Sequence, residues 1–138
     1  MNKALQTGDI GEHVCAVCLL EMGIDCKVVN VGTTDILATV NDAFIRIQVK
    51  GSGLHTRPDV KNGTPYYHFS TALGLKKEAI THKHCDVVAL VALDIKRIIF
   101  TMPILKVSTR RRRLDYESPT LEKDTWKECM EKIKLSDY

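Results

Sequence analysis

Asp35-Ile36-Leu37-Ala38-Thr39-Val40-Asn41-Asp42-Ala43-Phe44-Ile45-Arg46-Ile47-Gln48-Val49-Lys50 reads as one β-hairpin. Asn41-Asp42 is the two-residue connection, of residue types that tolerate the positive φ values tight hairpin turns require. A two-residue loop sets the register: Val40 opposes Ala43, Thr39 opposes Phe44, Leu37 opposes Arg46 and Asp35 opposes Gln48. Side chains alternate between the faces of a strand, and opposed residues share a face with Cβ atoms roughly 4.5–5.5 Å apart. Ala43, Ile45, Ile47 and Val49 are all apolar, so their face belongs to the core. Arg46, Gln48 and Lys50 take the other face, and Asp35 falls on it too. A carboxylate, an amide and an ammonium thus converge at the open end of the hairpin, on a face that the apolar pattern does not explain.

Upstream, residues 10–23 read as a helix, with Asp9 as its N-cap and Gly23 where it stops. Ile10, Val14, Val17, Cys18 and Met22 form one apolar stripe, and Cys15, Ala16, Leu19 and Leu20 extend it almost all round. A helix this apolar is expected to be largely buried. Glu12 stands in its first turn. Asp9-x-x-Glu12 is close to a capping box, which is the structural alternative for this glutamate. A buried carboxylate needs a partner, because an unpaired buried charge is very costly. A divalent cation shared with Asp35 satisfies both. Oxygen ligands from Glu12, Asp35 and the Gln48 amide suit Mg²⁺, with Mn²⁺ as a substitute. Such a cation stabilises charge on a phosphate and generates a hydroxide nucleophile at neutral pH. Lys50 is then placed to orient the water or to stabilise developing charge.

The remaining chain supplies the scaffold. Lys27 to Val31 reads as a strand, Asp86 to Leu93 as a buried strand, and Arg97 to Met102 as its partner across a turn at Asp94-Ile95-Lys96. Residues 51–85 open with Gly51-Ser52-Gly53 and contain Arg57-Pro58, Asn62-Gly63 and Thr64-Pro65, the composition of a long loop. Leu73 to Thr81 is the place for a short helix within it. Pro119 to Leu135 is helix-compatible, with Pro119 at the first turn. Two rival constellations are weaker. Asp59 of Pro58-Asp59 could join Asp94-x-Lys96, but the first lies in the loop and the others at a turn. Cys15-x-x-Cys18 with His82, His84 and Cys85 could bind zinc, but cysteines within an apolar helix behave as small hydrophobes.

The 138 residues, 44% hydrophobic and 27% charged, fit one globular domain spanning 1–138, with a basic, helical C-terminal extension from about 104. A net charge of +3 permits a nucleic-acid partner without demanding one. The start, Met1-Asn2-Lys3-Ala4-Leu5, has no long apolar run, and no stretch approaches the ~20 apolar residues of a membrane span. With an odd count of five cysteines, free thiols and a cytoplasmic setting are expected, in a bacterial, archaeal or phage-infected cell. The run Arg110-Arg111-Arg112-Arg113 is either a solvated face or a grip on phosphates. Lys76, Lys77 and Lys83, with Arg57, Lys61 and the aromatics Tyr66 and Tyr67 of the long loop, are the other candidate contacts to DNA.

Gly11-Glu12, Leu20-Glu21-Met22-Gly23, Asp35-Ile36-Leu37 and Gln48-Val49-Lys50, in that order, resemble the PD-(D/E)XK nuclease superfamily over roughly residues 8–103. Two branches are the most similar. One is the archaeal Holliday-junction resolvases. The other is the phage and cyanobacterial homing endonucleases, in which Gln-Val-Lys replaces Glu-x-Lys. Gln48 favours the latter, as do Tyr66-Tyr67-x-Phe69 and the strands after it. The resemblance implies an α/β, restriction-endonuclease-like fold, a mixed central sheet flanked by helices with core order αβββαβ. It implies an Mg²⁺-dependent endodeoxyribonuclease of homing type acting on double-stranded DNA as a homodimer or higher homo-oligomer. A junction resolvase and a catalytically silent DNA-binding module of the same fold are the alternatives. Two departures stand out: Thr34 occupies the place before Asp35 where the family often has proline, and neutral Gln48 leaves two carboxylates for the metal.

Overall fold

Asn41 and Asp42 both adopt the left-handed backbone conformation, at φ 50° and 65°, which marks a two-residue turn whose twist matches its flanking strands. The computed structural model describes residues 3–56, 63–73, 78–103 and 106–134. Within them the chain runs α1 (Lys3–Glu21), β1 (Asp25–Val31), β2 (Thr34–Val40), β3 (Ala43–Ser52), β4 (Leu54–His55), β5 (Tyr66–Ser70), β6 (Ala72–Leu73), β7 (Glu78–Ala79), β8 (Val87–Ala92), β9 (Arg97–Thr101), β10 (Ser108–Arg112), a 3₁₀ turn (Arg113–Tyr116) and α2 (Leu121–Ile133). The β2–β3 register runs from Val40–Ala43 through Leu37–Arg46 to Ile36–Ile47, as the alternation predicts.

The central sheet has the order β1-β2-β3-β8-β9. β3 and β8 are parallel and the other neighbours antiparallel, so the sheet is mixed. β8 is buried at every residue, as a strand covered on both faces must be. On one face, Ile36, Ala38, Ile45, Ile47 and Ala89 pack against Cys15 and Leu19 of α1 and Trp126 and Met130 of α2. On the other, Val88, Leu90 and Ile99 pack against Tyr67, Phe69, Tyr116 and Leu121. Tyr67 and Phe69 belong to a second, three-stranded sheet of order β10-β5-β4.

α2 also closes an edge. Its Glu122 accepts the Ile98 N–H at 3.0 Å and its Thr125 hydroxyl accepts the Phe100 N–H at 3.1 Å. Two outward N–H groups of the edge strand β9 are thereby satisfied by a helix instead of another strand. Arg97 adds 2.7 and 2.9 Å contacts to the same carboxylate. Burial pushes Glu122 up, but these donors outweigh it and hold the carboxyl below its ordinary value.

Several expectations need correcting. α1 begins at Lys3, so Asp9 lies inside the helix and caps nothing, and Glu12 is in mid-helix. The helix runs on through Gly8 and Asp9 although both are exposed, and its burial begins only at Gly11, Cys15 and Leu19. That burial is one-sided: Ile10, Val17 and Leu20 stay about half exposed. The proposed helix over Leu73 to Thr81 is replaced by the paired strands β6 and β7 at its two ends. Hence the β3–β8 crossover carries strands and no helix among the described residues, and the second helix follows the sheet. Pro119 precedes the N-cap Thr120 and so lies just outside α2. The segment after 104 is no appendage, since Trp126, Cys129 and Met130 are core residues.

Candidate metal centre

Pairing between β2 and β3 ends at Ile36–Ile47, yet β3 continues to Ser52. The backbone of β3 beyond Ile47 therefore lacks β2 as a partner, and Asp35 fills the gap. Its Oδ2 accepts the Val49 N–H at 2.8 Å and the Gln48 side-chain amide at 3.3 Å. α1 lies along the same stretch: a Cβ on buried Gly11 would stand 3.6 Å from Val49 Cγ1. The helix thus delivers Glu12 from the opposite side of the sheet to the end of β2. Lys50, two residues past Gln48 on the same face, is half-buried.

The electrostatics of the four residues are coupled. Burial pushes the Glu12 carboxyl above its ordinary value, and the negative charges of Asp35 and Asp9 add to this against Asn30 and His13. Burial pushes Asp35 up as well, opposed by the Val49 N–H and the Lys50 charge. Lys50 is pushed down by burial and held back by Asp35. Two carboxylates act on each other in one partly buried site, and the Lys50 ammonium acts on Asp35.

Two oxygens here are orphaned. Glu12 Oε1 and Gln48 Oε1 are both buried without a hydrogen-bond partner, and Gln48 is only 9% exposed. Buried acceptors without donors are rare in folded proteins and each one calls for an explanation. A divalent cation would supply what is missing, since it accepts lone pairs from carboxylate and amide oxygens alike. The donor set thus fits such an ion, although only two of its members are carboxylates. No group of three His, Cys, Asp or Glu residues among those described could hold a metal.

The rival constellations dissolve in the fold. Cys15 and Cys85 are buried on opposite faces of the central sheet. Burial pushes the Cys18 thiol to about 12 and Cys85 to about 11, as for small side chains packed among apolar neighbours. Asp94 accepts the Tyr67 hydroxyl at 2.7 Å and pairs with Arg113 at 3.4 Å. Pro58 and Asp59 lie outside the described residues.

Of the expected DNA contacts, Arg57, Lys61, Lys76 and Lys77 also lie outside them. Tyr67 is a correction: it is fully buried, in edge-on contact with Tyr116. Tyr67, Phe69 and Thr71 are the buried alternates of β5 and its flank, and that period-2 signal was present in the sequence. Tyr66 takes the outward position, stacked on His55 with Arg110 over its ring at 4.8 Å. Along β10, Arg111 turns inward and buries its Nε. Arg112 pairs with Asp115 at 3.1 Å, so the arginine run divides between packing, ion pairing and an outward face.

One element escaped the sequence. Arg46, on the face shared by Asp35 and Gln48, makes a forked ion pair with Asp86, both contacts at 3.2 Å. It also donates to the His82 carbonyl at 2.8 Å and the Lys83 carbonyl at 3.3 Å. The Thr33 hydroxyl donates to the His84 carbonyl at 2.6 Å. Arg46 fell on the polar face of the hairpin, and that placement was its only sequence signal.

No family model and no curated protein sequence matches this chain. A solved structure described as that of a bacterial homing endonuclease, I-Ssp6803I, is similar to it with a TM-score of 0.64. The match covers 96% of this chain and 94% of that one at 14% sequence identity. At that identity the likeness is one of fold.

Proposed function

We propose that this chain is a metal-dependent DNA endonuclease, of homing type, in which Glu12, Asp35 and Gln48 hold Mg²⁺ or Mn²⁺. The observation that carries the reading is the pair of orphaned, buried oxygens, Glu12 Oε1 and Gln48 Oε1, on two residues that each act on Asp35, Gln48 through its 3.3 Å amide contact and Glu12 through its charge. The fold likeness to a homing endonuclease supports the choice of substrate. When bound, the cation would supply Lewis-acid stabilisation of the phosphate and lower the pKa of a coordinated water. Asp35 is anchored by the Val49 N–H, so one oxygen is fixed while the other is left to coordinate. Lys50 stands on the same face, where its ammonium orients the attacking water and balances charge that develops on the phosphate. One such site cuts one strand, so duplex cleavage takes at least two copies, most simply related by a two-fold axis.

The test is a panel of supercoiled plasmid, linear duplex and four-way junction, each with Mg²⁺ or with EDTA. Cleavage of duplex with Mg²⁺ alone is expected. Cleavage confined to the junction would instead make the chain a resolvase, and no metal-dependent cutting of any substrate would refute the nuclease reading.

The crowded carboxylates also make a thermal prediction. A carboxyl whose folded pKa is raised contributes stability below its unfolded pKa, and that contribution is lost as pH rises through the folded value. Metal-free Glu12→Gln should therefore melt higher than the wild type at pH 7, and the difference should vanish below about pH 4.5. Added Mn²⁺ should raise the wild-type melting temperature by several degrees, since an ion at about 100 times its Kd adds ~2.7 kcal/mol. The variant should lose most of that gain. Equal metal-induced shifts in both proteins would remove Glu12 from the ligand set.

A further inference from the structure

The turn Thr81–Asp86 is built to a tolerance that its exposed position does not require. Its carbonyls at His82, Lys83 and His84 are all claimed by side chains, two by Arg46 and one by Thr33. Inside the turn, the His84 N–H bonds the Thr81 carbonyl at 2.9 Å, and His84 Nδ1 accepts the Thr81 N–H at 3.0 Å. The Thr81 hydroxyl accepts the Lys83 N–H at 3.3 Å. The Asp86 N–H then bonds the Arg46 carbonyl at 2.8 Å. An ordinary connection into a buried strand leaves such groups to water.

The two anchors define where the turn lies. Arg46 is two residues before Gln48 and on its face of β3. Thr33 is two residues before Asp35, at the open end of the hairpin. The turn therefore bridges β3 to the start of β2 on the face that carries Asp35, Gln48 and Lys50. Its own side chains are His82 and Lys83, both exposed, and half-buried His84. Because His84 Nδ1 is engaged as an acceptor, a neutral ring carries its proton on Nε2, which leaves that nitrogen as a donor. The result is a rigid rim carrying one ammonium and two imidazoles on the face that holds the Asp35 carboxylate. A cationic rim at that place attracts an anion that must approach the carboxylates, and a phosphodiester is such an anion.

We propose that this turn binds a DNA backbone phosphate next to the cleaved bond, with Lys83 as the charged contact, His84 as a further donor, and Arg46 as the positioning residue that fixes the turn. The proposal rests on the nuclease reading and adds a strand-binding element to it. Arg46 spends its guanidinium on Asp86 and two carbonyls, so it acts through the turn and not on DNA.

The experiment uses the full chain, a 30-base-pair duplex for binding without metal at several salt concentrations, and a supercoiled plasmid with Mg²⁺ for cleavage. Lys83→Ala should flatten the log–log salt dependence of binding by ~0.9, as the loss of one phosphate contact does. It should raise KM about tenfold while changing kcat little, and melt like the wild type. Arg46→Gln should raise KM similarly, and the Lys83→Ala/Arg46→Gln double variant should be no worse than the poorer single one. An unchanged salt slope and KM in Lys83→Ala would overturn the proposal. Additive effects of the two substitutions would overturn the positioning role of Arg46. A wild type that cleaves normally alongside unaffected variants sinks this proposal alone, whereas a wild type that neither binds nor cleaves DNA sinks the nuclease reading with it.

Discussion

Asp35→Asn is expected to abolish cleavage while leaving duplex binding intact or slightly tighter. The substitution keeps the shape and leaves an oxygen to accept the Val49 N–H at the 2.8 Å position. What it removes is the negative charge that a divalent cation needs, in a site with only two carboxylates. Losing one of them should cost at least ~10³-fold in rate, the scale on which single electrostatic contributions to catalysis are measured. Binding should not suffer, because a carboxylate beside a phosphate repels it. A relief of crowding accompanies the change, since Asp35 helps to push Glu12 up, so the metal-free variant should not be less stable. A plasmid-nicking time course with Mg²⁺, paired with a binding titration, checks both halves. Cleavage within a factor of a few of the wild type would remove Asp35 from the catalytic set.

Lys50→Met is expected to be the second most damaging change, lowering kcat by ~10²–10³-fold with metal affinity preserved or improved. Methionine matches the length of the aliphatic stem, which is half-buried, and deletes only the ammonium. The ammonium is the single positive charge among the four residues, and it holds Asp35 down against burial. Its loss should push Asp35 further up and shift the acid limb of the pH–rate profile to higher pH. That shift distinguishes a lysine in electrostatic contact with the carboxylate from a strand-end lysine. Single-turnover rates from pH 5 to 9 would reveal it. A profile with the wild-type shape and height would return Lys50 to an ordinary surface residue.

The hairpin was legible because three independent signals agreed within sixteen residues: a turn dipeptide, a strict alternation, and polar residues in one phase of it. From these the opposition of Asp35 and Gln48 followed, and the 3.3 Å contact between their side chains reflects it. The start of α1 was not legible. Gly8 and Asp9 read as a boundary by local propensity, yet the helix runs through both while they stay exposed, because propensity is only a weak guide to where a helix starts. The crossover between β3 and β8 was opaque for a different reason. β4, β6 and β7 each span two residues, too few for any periodicity to register, and their existence depends on the partner strands they pair with. Tyr67 was misjudged because two adjacent tyrosines look equivalent until the phase of the strand is known. The Thr81–Asp86 turn was invisible because its organisation resides in carbonyls held from β3 and from the β1–β2 connection, and backbone groups carry no sequence signature.

The last helix of the chain has a consequence in time. During synthesis the ribosome releases residues in order, roughly 5–20 per second in bacteria, and elements can fold only with partners that have emerged. The β2–β3 hairpin is local and can form early. The parallel partner of β3 arrives only with residue 87, and the groups that occupy the outer edge of β9 and complete the core against Trp126 belong to α2, at the end. Until then the nascent chain presents an apolar strand with open backbone donors, the form in which sheets recruit one another. Loss or delay of α2, from Leu121 on, would therefore damage this protein through self-association of an unfinished sheet, although every residue of the candidate site had already emerged.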